Sequence, residues 1–347
     1  MNLLLKPRSD IRLLSTGVAM PVDVPPAGQR GVVLDHEAVL ARMEVPTGST
    51  AQAPDPQVQT RQWVQGADAI DLAVEAARCA LSRAGMQAQE LAAIVCASST
   101  PVSISAAMAA RVALRLGCSD GLANAAAFDV RAGGVGVMHA WFTAQGLIAQ
   151  GSGPVLVVAA ETPSLFLKPT DVGTALRYGD GAGACILAPT EAAVPSFLGG
   201  MSGQQAMRGR PTTIPGRLPP VGDPMDYRFQ KPDREHLEDL MQLWARCPKA
   251  LADAFPQAAS STRHVVPYSV SHQQMETALR ALNVPGATCF HELHRYGCVG
   301  AASPLVALHG LLMSGQAQPG EVVCLISAAG NGVWGGFFWA LDDLPAH

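Results

Sequence analysis

Short apolar runs bounded by glycine or proline alternate along this chain with longer segments of helical periodicity. Such alternation is typical of β-strands joined by crossover helices, because neighbouring parallel strands need a long connection. We therefore predict an α/β fold with a mainly parallel sheet. The elements predicted for the first half are strands 10–18, 91–97, 125–130, 154–161 and 181–187 and helices 67–85, 104–116 and 135–150.

A similar order of elements returns in the second half, which suggests a duplicated unit. The predicted halves are residues 1–195 and 196–347. Two segments rich in proline, 21–60 and 211–224, are expected to be surface loops, because proline disfavours helix interiors and central strands. The elements predicted for the second half are helices 235–254, 273–283 and 301–315 and strands 264–269, 321–328 and 333–341.

The composition excludes several classes of partner. With 347 residues, 48% of them hydrophobic, the chain can bury a large core. Its net charge of -4 supplies no basic field for nucleic acid or an anionic membrane surface. Eight scattered cysteines without a CxxC pair and an N-terminus without a secretory signal or membrane anchor predict a reduced, cytoplasmic protein.

Metal and nucleotide sites find no support in the sequence. His291, Glu292 and His294 cluster in FHELHRYG, but their spacing fits no metal-ligand pattern, so we expect no metal. The glycine-rich stretches lack the flanking pattern of a dinucleotide or Walker site. We also expect no tightly bound cofactor.

Residues 124–151 run from an apolar strand through a turn of small residues into a helix. Such a turn directs a side chain to the helix N-terminus, where the dipole and free N–H groups stabilise an anion. A cysteine in that place is held as a thiolate and attacks acyl thioesters.

Four motifs resemble the β-ketoacyl-ACP synthase III family. They are STGVAMP (15–21), AFDV followed by small residues and Gly136 (127–136), RYGDGAGACIL (177–187) and SAAGNGVWGG (327–336). The resemblance implies a thiolase-like fold in which two duplicated βαβαβαββ halves form α-β-α-β-α layers. It also implies acyl-CoA or acyl-carrier-protein thioesters as substrates.

The resemblance places Gly134 where the family carries its nucleophilic cysteine, and Arg131 at a position that is usually small. Glycine has no side chain to acylate, so the family's covalent route through this residue is closed. The Arg131 guanidinium must find an anion or stay solvated. It is expected to pair with a carboxylate of this chain, or alternatively to bind a substrate carboxylate.

Three other site residues follow from the resemblance. VVPYSVSHQQMETAL (265–279) resembles the segment with the family's catalytic histidine, which assigns that role to His272. HRYGCVGAASPLVAL (294–308) puts Cys298 at the position of the family's asparagine. The oxyanion hole would consist of the N–H groups of Gly134 and Gly330, donors that each contribute on the order of 3 kcal/mol in enzymes that use them.

Three hypotheses remain open at the level of sequence. The chain is a nucleophile-free subunit that pairs with a cysteine-bearing homologue, or an acyltransferase in which His272 is the general base. In a third variant Cys298 is a relocated nucleophile. Family members are dimers, so a homodimer or a heterodimer is expected. Because TGSTAQAPDPQVQTR (47–61) keeps only Thr47-Gly48 of the family's CoA-entrance motif, a carrier protein or a partner's pocket is an alternative route of acyl delivery.

Overall fold

A computed structural model describes residues 2–44, 55, 57–118, 125–214, 222, 224–268 and 270–341. The entrance motif Thr47-Gly48 and most of the proline-rich segment 211–224 lie outside these residues. The strands are β1 (Leu3–Leu5), β2 (Ile11–Ala19), β3 (Gly31–Leu34), β4 (Arg61–Val64), β5 (Ala93–Ala97), β6 (Ala126–Val130), β7 (Val155–Glu161), β8 (Gly181–Pro189), β9 (Phe197–Gln204), β10 (Thr262–Pro267), β11 (Thr288–Cys289), β12 (Val322–Ala328) and β13 (Val333–Ala340). The α-helices are α1 (His36–Leu40), α2 (Ala69–Ala84), α3 (Met108–Leu116), α4 (Gly136–Ala149), α5 (Val172–Ala175), α6 (Arg234–Ala254), α7 (Pro256–Ser260), α8 (His272–Leu282), α9 (Leu293–Tyr296) and α10 (Ser303–Met313).

The predicted elements are all present, with bounds that differ by a few residues. The largest shift is in α3, which begins at Met108 because the Asp129 carboxylate accepts the amides of Met108 and Ala109 at 2.8 and 2.9 Å. This contact also gives the aspartate of the AFDV motif a structural role. Strands β1, β3, β4, β9 and β11 and helices α1, α5, α7 and α9 were not predicted. The expectation that residues 21–60 form a surface loop was wrong for β3 and α1, because their residues Leu34 and Val39 are buried. β9 (FLGGMSGQ) is rich in glycine, and its pairing with β1 and β13 outweighs that low strand propensity.

The two main sheets share one topology. In the order β2-β8-β7-β5-β6 and in the order β9-β13-β12-β10-β11, the strands run first, fifth, fourth, second and third along each half. β5 is parallel to β6 and β7, and β10 is parallel to β11 and β12. The other pairings within these sheets are antiparallel. The sheets are therefore mixed, and the prediction of a mainly parallel sheet was wrong for the strands on the β2 and β9 sides.

Five layers result from this arrangement. Helices α4 and α10 lie between the two sheets, whereas α2 and α3 cover the outer face of one sheet and α6 and α8 the outer face of the other. A central helix meets apolar neighbours on every side, which explains why α4 lacks a polar face. The Trp141 ring, for example, lies 4.9 Å from Phe337 and 5.3 Å from Trp339, centroid to centroid.

Close packing explains one glycine of the RYGDGAGACIL motif. A Cβ at Gly183 of β8 would lie 2.6 Å from Leu305 Cβ of α10, so only glycine lets the central helix approach this strand. The division at residue 195 stays a prediction. The sheets follow it except for β1, which pairs with β9 of the second half. Among the residues described, no helix is long and apolar enough to cross a membrane.

Candidate active site

A cavity of about 830 Å³ opens at the carboxyl ends of strands from both sheets. Ligands of α/β proteins bind preferentially at such strand ends, because loops from several strands meet there. The lining residues that directly follow or end a strand are Ser98–Thr100 after β5, Arg131–Gly134 after β6, Glu161 of β7, Tyr268 after β10 and Ala328–Asn331 at β12.

Gly134 and Tyr268 face each other across the turn that precedes α4. A Cβ at Gly134 would lie 2.4 Å from Tyr268 Cζ and 2.8 Å from its hydroxyl oxygen. The tyrosine is held in place because its backbone N–H donates to the Ile326 carbonyl oxygen at 2.8 Å. No side chain fits at residue 134 unless Tyr268 moves.

Gly330 lies on the loop after β12 and also lines the cavity. The neighbouring turns are in contact, since a Cβ at Gly133 would lie 3.7 Å from Ala329 Cβ. The Gly330 carbonyl accepts a hydrogen bond from Nε2 of His236, which belongs to the first turn of α6. The structure therefore brings Gly134 and Gly330 to one cavity, as expected from the sequence. It also shows that His236 tethers the Gly330 loop, a contact for which the sequence held no signal.

His272 is not at this cavity. It begins α8, its side chain is 40% exposed, and its Nε2 lies 3.0 Å from Glu276 Oε1 on the next turn. It is not among the residues that line the cavity in the described part of the chain. The expectation that His272 lines the pocket is corrected, because the residue that directly follows β10 at the sheet edge is Tyr268. The sequence did carry a signal for Tyr268, which is the residue before the end of the predicted strand 264–269.

Cys298 belongs to a buried cluster with two tyrosines. Cys298 and Tyr268 belong to one buried hydrophobic cluster, and Tyr178 packs against it. Burial raises the pKa of Cys298 to about 12 and the pKa of Tyr268 well above its usual value. Cys298 is fully buried and therefore stays a neutral thiol at physiological pH, which does not suit a nucleophile. Both phenols stay protonated and can donate hydrogen bonds.

Glu161 is the acidic residue of the cavity wall. It accepts hydrogen bonds from Thr100 Oγ1 at 2.6 Å, from the amides of Ser99 and Thr100 at 2.9 and 3.0 Å, and from the amide of Ala301 at 3.1 Å. Burial raises the pKa of this carboxyl above its usual value. Its contacts tie the ends of β5 and β7 to the segment before α10.

Among the described residues, three basic side chains line the same cavity: Arg131, Arg177 and Lys231. Lys231 pairs with Asp171 at 2.6 Å. Arg131 instead directs Nη2 to the carbonyl oxygens of Ser103 and Ile104 at 3.3 and 3.4 Å. No carboxylate within the described residues forms an ion pair with Arg131, so the expected intramolecular partner is not found. Within those same residues, no group of histidine, cysteine or acidic side chains could hold a metal ion.

The family model for 3-oxoacyl-[acyl-carrier-protein (ACP)] synthase III matches residues 128–201 of this chain. The model for the C-terminal part of the same family matches residues 257–341. A β-ketoacyl-[acyl-carrier-protein] synthase III of Rhodospirillum rubrum is 32% identical over 281 residues, which cover 78% of this chain and 84% of that protein. The chain belongs to the β-ketoacyl-ACP synthase III family.

The chain is similar to other proteins over comparable lengths. An acetoacetyl CoA synthase of Streptomyces is 29% identical over 290 residues, covering 79% of this chain and 84% of that protein. The crystal structure of a 3-oxoacyl-(acyl carrier protein) synthase III from Pseudomonas aeruginosa superposes with a TM-score of 0.81 at 23% identity, covering 97% of this chain and 100% of that chain. The thiolase-like fold expected from the sequence is thereby confirmed.

Proposed function

We propose that this chain is a non-acylating member of its family, which binds an acyl thioester in the cavity without forming a covalent acyl intermediate. In this proposal Gly134 stands at the position of the nucleophilic cysteine. The observation that carries it is that the Tyr268 ring fills the space a side chain at residue 134 would need. A glycine at residue 134 and a tyrosine ring in the adjacent space are complementary. This complementarity favours a site in which several residues have changed together over a site that has lost one cysteine.

The chain then works as the nucleophile-free subunit of a dimer with a cysteine-bearing homologue. Acylation requires a reactive thiol, and no cysteine is among the cavity-lining residues that the structure describes. Cys298 does not supply one, because burial raises its pKa to about 12. Since relatives are named as β-ketoacyl-ACP synthases and as an acetoacetyl CoA synthase, we place the complex in cytoplasmic condensation reactions of fatty-acid-like or polyketide-like biosynthesis.

Intact-protein mass spectrometry tests this proposal. The chain is incubated with acyl-CoA and acyl-carrier thioesters, alone and after co-expression with a cysteine-bearing homologue from the same organism. We expect a stable complex in size-exclusion chromatography and an acyl adduct on the homologue only. An adduct on this chain, or condensation by this chain alone through an acyl-enzyme, would contradict the proposal.

Direct acyl transfer is a second candidate, favoured by the retained cavity with Gly134, Gly330 and the Tyr268 hydroxyl at its wall. The acceptor's nucleophile would attack the thioester carbonyl, the C–S bond would break, and the thiol would leave with a proton. The amides of the two glycines would hold the oxyanion. The structure gives no support to His272 as the base. Product formed from thioester and acceptor by this chain alone, without an adduct, would favour this candidate over the partner role.

A further inference from the structure

The cavity wall carries more positive than negative side-chain charge. Among the described lining residues the cations are Arg131, Arg177 and Lys231, and the one carboxylate is Glu161. Glu161 is occupied by its own hydrogen-bond donors, and Lys231 is neutralised by Asp171 at 2.6 Å. This leaves two guanidinium groups to account for.

Arg177 is half-buried and anchored close to the buried tyrosines. Its carbonyl oxygen accepts the Cys298 amide at 2.8 Å, which fixes the backbone at this position. Burial raises the pKa of Tyr178, and the Arg177 charge acts in the opposite direction, so the guanidinium lies within electrostatic reach of that phenol. Within the part of the chain that the structure describes, no acidic side chain forms an ion pair with Arg177.

Arg131 also lines the cavity. It lies three residues before Gly134 on the turn that leads into α4. A guanidinium offers five N–H donors, and within the described residues Arg131 makes two hydrogen bonds from Nη2 to backbone carbonyls, at 3.3 and 3.4 Å. Its other donors have no acceptor among these residues and can bind a ligand in the cavity.

We propose that Arg131 and Arg177 bind a carboxylate carried by the acyl chain of the thioester substrate. This inference rests on the proposed function and adds the substrate class, a carboxyacyl thioester. The arginine fork matches a carboxylate through paired, charge-assisted hydrogen bonds. A purely apolar acyl chain would instead desolvate guanidinium groups without giving them a partner, which is unfavourable.

A pair of isosteric thioesters tests the inference on the full-length chain by calorimetry. Succinyl-pantetheine carries a terminal carboxylate, 4-methylpentanoyl-pantetheine replaces it with an uncharged branch of the same shape, and neither contains phosphate. We expect the succinyl compound to bind at least about tenfold more tightly. Arg131→Met and Arg177→Met should each raise its Kd about tenfold, whereas the neutral compound should bind each variant at least as tightly as it binds the wild type.

Lys231→Met is the matched control, because this cation lines the same cavity but is already paired with Asp171; the preference for succinyl should survive it. Retained binding of the neutral compound also shows that a variant is folded. If Arg177→Met does not bind the neutral compound, the test rests on Arg131→Met, because Arg131 is exposed and its substitution should not disturb folding.

The remaining outcomes would overturn the inference. Equal affinity of the wild type for the two pantetheine thioesters would exclude a carboxylate site while leaving the proposed function intact. The same two acyl groups attached to CoA test whether the arginines bind phosphate instead. If the arginine variants bind both CoA thioesters equally more weakly than the wild type does, and bind the pantetheine thioesters as tightly as the wild type does, the arginines bind the phosphates of CoA. Failure of every thioester to bind would contradict the proposed function and this inference with it.

Discussion

The Tyr268 ring occupies the space that a side chain at residue 134 would need, with 2.4 Å between its Cζ and the position of a Cβ. Real carbon atoms do not approach so closely without a bond. A cysteine at residue 134 and a tyrosine at residue 268 therefore exclude each other in this backbone. The residue types at these two positions have to be considered as a pair.

The first prediction concerns that pair. Gly134→Cys should lower the free energy of unfolding by about 1–3 kcal/mol, because it overfills a packed site. Tyr268→Ala should remove the clash, so the two substitutions together should destabilise less than the sum of their separate effects. Chemical denaturation of the four proteins measures this coupling.

Gly146→Ala is a suitable control, because a Cβ there meets no atom within 4 Å. Its helical position predicts stabilisation by about 0.5–1 kcal/mol. Strict additivity between residues 134 and 268 would contradict the contact.

A second prediction separates Tyr268 from His272. His272→Ala should leave thioester affinity within about twofold, because the imidazole lies outside the cavity and contacts Glu276. Tyr268→Phe keeps the ring but removes the hydroxyl at the cavity wall. We expect this substitution to weaken thioester binding about tenfold, because it deletes a hydrogen-bond donor at the cavity wall. Titration of both variants with one thioester provides the comparison, and the reverse order of effects would restore His272 to the site.

The third prediction is that Cys298 is chemically inert in the folded protein. Its thiol is fully buried, and burial raises its pKa to about 12, so almost none is thiolate at neutral pH. Iodoacetamide should leave Cys298 unmodified in the native chain and alkylate it after unfolding. Peptide mapping reads each site separately, and the half-buried Cys79 is the internal comparison. Native labelling of Cys298 faster than Cys79 would reopen the relocated-nucleophile hypothesis.

Asp180 gives a prediction about pH. It accepts hydrogen bonds from the amides of Val64 and Ser164, yet burial outweighs them and raises its pKa to about 7. An unfolded aspartate has a pKa of about 4, so between these values the folded state holds a proton that the unfolded state has released. The free energy of unfolding should therefore fall as pH rises from about 4 to 7, which is the interval between the pKa of this carboxyl in the unfolded state and its pKa in the folded state.

Asp180→Asn should flatten that slope, whatever its effect on the stability itself. Denaturant titrations across the same pH range measure it. Asp253→Asn is the control, because this exposed carboxylate pairs with Lys249 on the surface of α6 and should leave the slope as it is. Identical slopes for wild type and Asp180→Asn would show that the buried carboxyl does not titrate in this window.

Local patterns in the sequence were sufficient for most of the fold. The periodicities predicted eight of the strands and the six longest of the described helices, because each of these elements buries one side or all of its residues in a regular repeat. β9 escaped prediction, since its glycines are tolerated only between two paired strands. The antiparallel pairings were also missed, because the direction of a neighbouring strand depends on the whole path of the chain.

In the candidate site, too, the sequence determined some features and the tertiary structure determined others. By itself the sequence determined that residue 134 has no side chain, that Arg131 stands beside it, and that Gly330 belongs to a glycine-rich loop. Only the tertiary structure decided that Tyr268 rather than His272 faces that glycine. Tyr268 directly follows strand β10 at the cavity, whereas His272 begins helix α8 outside it. Contacts such as His236 with Gly330 join segments far apart in the chain, and no local pattern encodes which distant group will fill a given space.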